Sequence, residues 1–199
     1  MEKEDIEVEI KVMVKDLAAL EDFLESYGKL TVILQQSDEF YNHPARDFGQ
    51  TDEALRIREE TIIFSESKQP APPLEFTYKG PKFDRQTKTR IEKTVSFLAS
   101  SHQDMREILK HLEFNLVIRV DKERRQYTVV FAETEITLVI DEIDGLDEIF
   151  MELEILVKGK ESYPKAKEKL VRLLETLGYS LENSIPTSYM ELLLEKKTA

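Results

Sequence analysis

Three charged side chains stand two residues apart near the start of the chain, at Glu7, Glu9 and Lys11. They alternate with the aliphatic residues of the segment 6–12, so on a β-strand the charges would share one face and the aliphatic side chains the other. Carboxylates at this spacing can share a hard divalent cation such as Mg²⁺ or Mn²⁺, and a lysine supplies a compact positive charge to an anion. The segment therefore predicts a strand that presents a metal-binding and anion-binding face.

The same spacing of charges recurs along the chain. Each instance alone fits the solvated face of an ordinary antiparallel sheet. Taken together, the charges are sorted, with acids on the first and last strands and bases between them, and amphipathic helices are available to cover the apolar faces. This favours a closed barrel whose charges point inward and partly neutralise one another, leaving a wet channel suited to a polyanion and its metal counter-ions. The recurring positions are Arg56, Arg58, Lys79, Lys88, Arg90, Glu92, Lys122, Arg124, Asp141, Glu152 and Glu154.

Several other ways of holding phosphate or metal are missing from the sequence. There is no GxxxxGK[ST] or GxGxxG loop to cradle phosphate with backbone amides, and no GxSxG nucleophile motif. The 3 histidines have no metal-ligand spacing, and the absence of cysteine excludes thiolate sites and disulfides. Charged side chains would therefore have to hold any phosphate.

Composition narrows the class of protein. The 199 residues and 41% hydrophobic content fit one domain over residues 1–199 with a sizeable core. The excess of 40 acidic over 28 basic residues disfavours nucleic acid and anionic membrane as partners. Because no uncharged apolar run approaches the roughly 18 residues of a membrane span, and no apolar signal core is present, we expect a cytoplasmic protein.

Period-two patterns dominate and predict an α+β fold built on one antiparallel sheet. Asp16 is placed to cap a helix that ends before Gly28. Ser100 or Ser101 could cap a second helix that runs to Leu112, and Ser162 could cap a third that ends at Gly178. Ser188 and Glu191 form a capping-box pattern for a last helix through Leu194. Loops are predicted at Asn42–Gln50, where His43 lies either in a flap or in a solvated turn, and at Ser65–Pro73. The predicted strands are Ile6–Val14, Leu30–Tyr41, Ala54–Glu60, Thr61–Ser65, Leu74–Lys79, Arg90–Phe97, Phe114–Val120, Glu123–Phe131, Thr134–Asp141 and Phe150–Val157.

With these motifs the sequence resembles the CYTH, or triphosphate tunnel metalloenzyme, superfamily, whose hallmark ExExK is Glu7–Lys11 here. The supporting motifs occur in family order: ALRIR, TYKGP, TKTRIE, DKERR and VIDEIDGLDEIFMELE. Within the superfamily the chain is most similar to the class IV adenylyl cyclases, through the segment Phe40–Arg58 and the closing IPTSYMELL.

The resemblance implies a closed eight-stranded antiparallel tunnel with amphipathic helices packed outside. It also implies Mg²⁺ or Mn²⁺ as cofactor, a nucleoside or other triphosphate as substrate, and a possible homodimer. Glu7, Glu9, Asp141, Glu152 and Glu154 would hold metal, with Glu92 as a further acidic candidate. Lys11, Arg56, Arg58, Lys79, Lys88, Arg90, Lys122 and Arg124 would contact the triphosphate, and Glu7, Glu9, Lys11, Arg58, Lys122 and Glu152 would be the catalytic set.

Three activities fit these residues. The first is an adenylyl cyclase that converts ATP to cyclic AMP and pyrophosphate, and the second is a triphosphatase acting on inorganic, thiamine or nucleoside triphosphate. Tyr41 and Lys79 could orient the water in the second case, although Tyr41 could equally pack or cap the tunnel mouth. The third is a noncatalytic triphosphate-binding protein.

Because like charges repel in an empty channel, Arg58→Ala is expected to raise the stability of the ligand-free protein slightly.

Overall fold

The structure is a computed structural model that describes residues 5–67, 70–82, 84 and 86–198, so the predicted Ser65–Pro73 loop lies partly outside it. Its strands are β1 (Asp5–Met13), β2 (Gly28–Asn42), β3 (Ala54–Ser65), β4 (Leu74–Lys79), β5 (Arg90–Phe97), β6 (Asn115–Phe131), β7 (Thr134–Ile143) and β8 (Ile149–Lys158). Its α-helices are α1 (Leu17–Tyr27), α2 (Phe48–Thr51), α3 (His102–His111), α4 (Tyr163–Thr176) and α5 (Tyr189–Thr198).

The strands form a closed barrel in the order β1-β5-β4-β3-β2-β6-β7-β8, and every pairing is antiparallel. This confirms the predicted fold class. β1 pairs with β8 along its whole length, but with β5 only at Ile6 and Glu7. Beyond that point other segments cover the free edge of β1: Lys88 N–H donates to Glu9 O (3.0 Å), and Ile185 N–H donates to Lys11 O (2.8 Å).

The predicted elements are largely those observed, but in two places the sequence predicted two strands where the structure has one. The segments on either side of residue 60 belong to one strand, β3, and those on either side of residue 121 belong to β6. The predicted Asn42–Gln50 loop contains the start of the short helix α2. Asp16 accepts a hydrogen bond from Ala19 N–H at the start of α1, as predicted, and Ser188 and Glu191 cap α5 reciprocally.

The main hydrophobic core lies outside the barrel, because alternation sends the aliphatic side chains of β1 outward. Ile6, Val8 and Ile10 are fully buried there against α1 and α4, which contribute Leu20, Leu24, Leu170, Leu173 and Leu174. Burying each such side chain stabilises the fold by about 1.5–3 kcal/mol. The helices thus cover the apolar face of the sheet, and the charged face can enclose a polar interior.

Within the described residues, every helix is too short or too polar to cross a membrane.

Candidate active site in the barrel interior

The barrel encloses a cavity of about 280 Å³, lined mainly by charged side chains from the strands. Alternation on each strand selects these side chains, and closure of the barrel brings them to one space. Of the residues that the sequence predicted, Lys11 and Asp141 do not line the cavity. Those that line it are Glu7, Glu9, Arg56, Arg58, Lys79, Lys88, Arg90, Glu92, Lys122, Arg124, Glu152 and Glu154.

Glu7, Glu9 and Glu154 form an acidic cluster, each offering a carboxylate oxygen within 4.8 Å of the others. The register that places Glu9 opposite Glu154 on neighbouring strands produces this closeness. Burial, together with the neighbouring carboxylates, raises the pKa of Glu9 to about 7 and also raises the pKa of Glu7 and of Glu154. Crowded oxygen ligands of this kind fit a hard divalent cation, which would relieve their mutual repulsion.

Glu152 lies on the same strand as Glu154 but has a different environment. Lys88 Nζ donates to one of its oxygens (2.9 Å) and Arg124 Nη2 to the other (2.6 Å). Burial alone would raise the pKa of Glu152, but Lys88 and Arg124 lower it well below its usual value. Both oxygens therefore already accept from cations, and the acidic cluster is completed by Glu154.

Asp141 is fully buried inside the barrel, next to side chains that line the cavity. Arg124 donates to its two oxygens from Nε (2.7 Å) and Nη2 (2.6 Å), and the Tyr189 hydroxyl donates to it at 2.9 Å. Although Asp141 was predicted as a metal ligand, the structure gives its carboxylate these partners, and its position suits it to hold Arg124 toward the cavity.

Asp38 is a site residue that the sequence analysis missed. It faces the cavity from β2, where Arg58 donates to both its oxygens (2.6 and 2.7 Å) and Arg56 lies 3.5 Å away. Burial alone would raise the pKa of Asp38, but Arg58 and Arg56 lower it far below its usual value. The inward alternation of Gln36, Asp38 and Phe40 was the available signal, and an acid here breaks the expected sorting of charges.

The Asp38 pairing reverses the stability expected for Arg58→Ala. Removing the guanidinium leaves the buried carboxylate with only the longer Arg56 contact, and breaking a buried ion pair typically costs about 3–5 kcal/mol. We therefore expect Arg58→Ala to lower the melting temperature of the ligand-free protein and to weaken triphosphate binding. Thermal unfolding at neutral pH checks this, and a melting temperature at or above that of the wild type would contradict it.

Two lysines in and beside the cavity show how strongly the bases are crowded. Burial and the neighbouring Arg124 lower the pKa of Lys122 to about 8. Burial and the neighbouring Lys88 lower the pKa of Lys11 to about 7. An anion entering the cavity would favour the charged form of a lysine such as Lys122.

The cavity lining also has an apolar part, made of side chains from β2, α2 and the start of α5. Phe40, Phe48 and Met190 line the cavity there, beside the polar side chains of Asp52 and Glu191. Asp52 accepts from Lys82, which ties the turn after α2 to the segment that follows β4.

Tyr41 and His43 do not reach the cavity. Tyr41 belongs to an apolar cluster with Phe48 and Leu109, and its hydroxyl donates to Glu39 at 2.9 Å. The structure therefore does not place Tyr41 where it could orient a water molecule at the acidic cluster. The half-buried His43 ring packs edge-on against Phe114, with ring centroids 5.1 Å apart, so His43 lies neither in a flap over the cavity nor in a fully solvated turn.

The chain resembles known proteins over nearly its whole length. The CYTH domain model matches residues 5–189. The chain belongs to the CYTH domain family. A protein of Methanocaldococcus jannaschii named as a candidate adenylate cyclase is 36% identical to this CYTH chain over 188 residues, which are 94% of this chain and 98% of that protein.

Solved CYTH-like structures show the same architecture. The PH1819 protein of Pyrococcus horikoshii is 37% identical, with a TM-score of 0.81 over 96% of this chain and 99% of that one. The Hippeastrum protein HpAC1 is 16% identical, with a TM-score of 0.64 over 96% of both chains, and is described as an adenylyl cyclase candidate with a dominant triphosphatase activity. At that identity the likeness concerns the fold alone.

Proposed function

We propose that the barrel interior binds the triphosphate of ATP together with divalent cations, and that the chain converts ATP to cyclic AMP and pyrophosphate. The observation that carries this proposal is the presence, in one enclosed cavity, of an acidic cluster suited to metal beside a row of arginines and lysines. Such a combination neutralises a polyanion that arrives with its counter-ions.

The basic side chains supply the triphosphate contacts in this proposal. Arg58, Lys122 and Arg124 approach from β3 and β6, Lys79 and Arg90 from β4 and β5, and Lys88 from the segment before β5. Within the described part of the chain, the buried Nε of Arg56 has no hydrogen-bond partner. A phosphate oxygen would satisfy that donor, and buried donors left without a partner are costly.

The apolar part of the cavity favours a nucleotide over inorganic triphosphate. A bare triphosphate needs charged and hydrogen-bonding partners, whereas Phe40, Phe48 and Met190 offer apolar surface suited to the flat face of a nucleobase. The base would then lie against these side chains, with the phosphates toward the acidic cluster.

In the cyclase reaction the ribose 3′-hydroxyl loses its proton to solvent water, its oxygen forms a bond to the α-phosphorus as the bond from that phosphorus to the bridging oxygen breaks, and pyrophosphate leaves. Lys88, Lys122 and Arg124 would hold the phosphate oxygens in line and balance their charge. Glu7, Glu9 and Glu154 would hold the divalent cation, which when bound supplies Lewis-acid polarisation of the α-phosphate and lowers the pKa of the 3′-hydroxyl. No covalent nucleophile of the protein is needed.

Triphosphate hydrolysis is the second candidate, because the same groups would serve if water replaced the ribose hydroxyl. The activity described for HpAC1 shows that a protein of this fold can favour hydrolysis. Its substrate could be a nucleoside, thiamine or inorganic triphosphate.

Product analysis after incubation with ATP and Mg²⁺ or Mn²⁺ decides between these reactions. We expect cyclic AMP and pyrophosphate in equal amounts, and none of either without the metal. Orthophosphate as the product would support the triphosphatase. Calorimetric binding of ATP without any product, across both metals, would overturn the enzymatic proposal in favour of a noncatalytic binding protein.

A further inference from the structure

Apart from Met190, the closing IPTSYMELL segment has no part in the proposed function so far, yet it closes one end of the barrel. Tyr189 and Leu193 of α5 pack on side chains that point into the barrel from the ends of β6, β7 and β8. Ser188 N–H donates to Glu191 Oε2 (2.6 Å) and Glu191 N–H donates to Ser188 Oγ (3.2 Å), so the helix start is fixed. The inward-pointing partners are Ile118, Val120, Ile143 and Phe150.

Lys11 attaches this segment to β1 through both its backbone and its side chain. Its carbonyl accepts from Ile185 N–H (2.8 Å), and its ammonium donates to the Thr187 carbonyl. The ammonium also lies 4.1 Å from the centroid of the Tyr189 ring. Lys11 is fully buried and does not line the cavity, so its side chain serves the C-terminal segment.

Tyr189 in turn contacts groups of the triphosphate site. The ammonium of Lys122 lies 5.1 Å from its ring centroid and that of Lys88 5.6 Å, both within cation–π range. Its hydroxyl donates to Asp141, the carboxylate that holds Arg124. Tyr189 thus contacts two lysines of the cavity directly, and it is linked to Arg124 through Asp141.

We propose that Lys11 fastens the segment Ile185–Tyr189 to β1 as part of the tunnel wall, and that Tyr189 is a positioning residue for Lys88, Lys122 and Arg124. The second half of this proposal rests on the proposed triphosphate site, whereas the first half does not. Lys11 in this chain then acts on the C-terminal segment, and the cavity-lining bases hold the phosphates.

Hydrogen exchange of the ligand-free protein tests the fastening. In Lys11→Met we expect the amides of Ile185 and of residues 187–191 to exchange at least about tenfold faster, with the barrel strands unchanged. Lys122→Met is the matched control, because it also removes an ammonium beside the Tyr189 ring but no bond to the segment. Its segment should exchange as in the wild type. Equal exchange in Lys11→Met and the wild type overturns the fastening.

A second variant keeps the test valid if Lys11→Met fails to fold. Ile185→Pro removes the N–H that donates to Lys11 and leaves every interior charge in place. We expect the same faster exchange over residues 187–191. Wild-type exchange in this variant would show that the segment is held without β1.

Calorimetric binding of inorganic triphosphate with Mg²⁺ tests the positioning role. Tyr189→Leu removes both the ring and the hydroxyl and should weaken binding about tenfold or more. Tyr189→Phe keeps the ring beside the lysines and loses only the hydroxyl that acts on Arg124 through Asp141, so its binding should stay within about threefold of the wild type. Wild-type affinity in Tyr189→Leu overturns the positioning role. If the wild type binds no triphosphate, the proposed function fails, while the exchange experiment still decides the fastening.

Discussion

Glu9→Gln should abolish metal-dependent turnover of ATP, with a loss of about 10³-fold or more, because it removes one charged ligand from the acidic cluster. The amide keeps an oxygen that can accept from Lys88, and one of three crowded negative charges disappears. The variant should therefore fold, with a melting temperature no lower than that of the wild type in the absence of metal. Turnover assays and calorimetric titration with Mn²⁺ measure the two effects.

Substitutions of two further glutamates on β8 separate a loss of metal binding from a loss of turnover. Glu154→Gln should lose Mn²⁺ affinity as Glu9→Gln does, because both belong to the acidic cluster. Glu152→Gln should lose turnover but keep its Mn²⁺ affinity, since its partners are Lys88 and Arg124. The control is Glu142→Gln, which changes an exposed carboxylate outside the barrel and should leave both measurements unchanged. Wild-type turnover in Glu9→Gln would contradict the assignment of metal to this cluster.

Asp38→Asn should destabilise the ligand-free protein by about 3–5 kcal/mol, the usual cost of breaking a buried ion pair. The carboxylate is almost fully buried and accepts two hydrogen bonds from Arg58, with Arg56 beside it. An amide cannot balance two buried guanidinium charges. Urea unfolding at neutral pH measures the change, and a loss below about 1 kcal/mol would contradict the account of this pair.

The pH dependence of that difference has a definite sign. Because the pKa of Asp38 is lower in the folded protein than in the unfolded chain, its contribution is fully present above the unfolded value of about 3.9 and is lost as the pH falls below it. The gap in stability between the wild type and Asp38→Asn should therefore begin to narrow at about pH 5 and should continue to narrow as the pH falls toward the folded pKa of Asp38, which lies far below its usual value.

A control for this pair lies on the neighbouring strand. Asp121 accepts from Arg119 at 2.9 Å, but both side chains are partly exposed. Asp121→Asn should cost less than about 1 kcal/mol, because water screens the pair and solvates whichever partner remains. A cost equal to that of Asp38→Asn would show that burial does not set the difference.

The sequence by itself determined which side chains share a face. Alternation in β1, β3 and β8 separates the charged from the aliphatic positions, and the spacing of the ExExK motif places Glu7 and Glu9 together whatever the rest of the chain does. The caps at Asp16 and Ser188 are local as well, since the side chain and the backbone amide that it caps lie within three residues. These features depend only on neighbouring residues, so a single sequence reveals them.

The tertiary structure alone decided which charges become partners. Glu154 joins Glu7 and Glu9 in the acidic cluster, whereas both oxygens of Glu152 accept hydrogen bonds from cations, although the two glutamates lie on the same face of β8. Asp38 pairs with Arg58, and Lys11 holds the C-terminal segment, across separations of 20 and 176 residues. These outcomes follow from the register and tilt at which distant strands meet when the barrel closes, and alternation along a single strand does not contain that information.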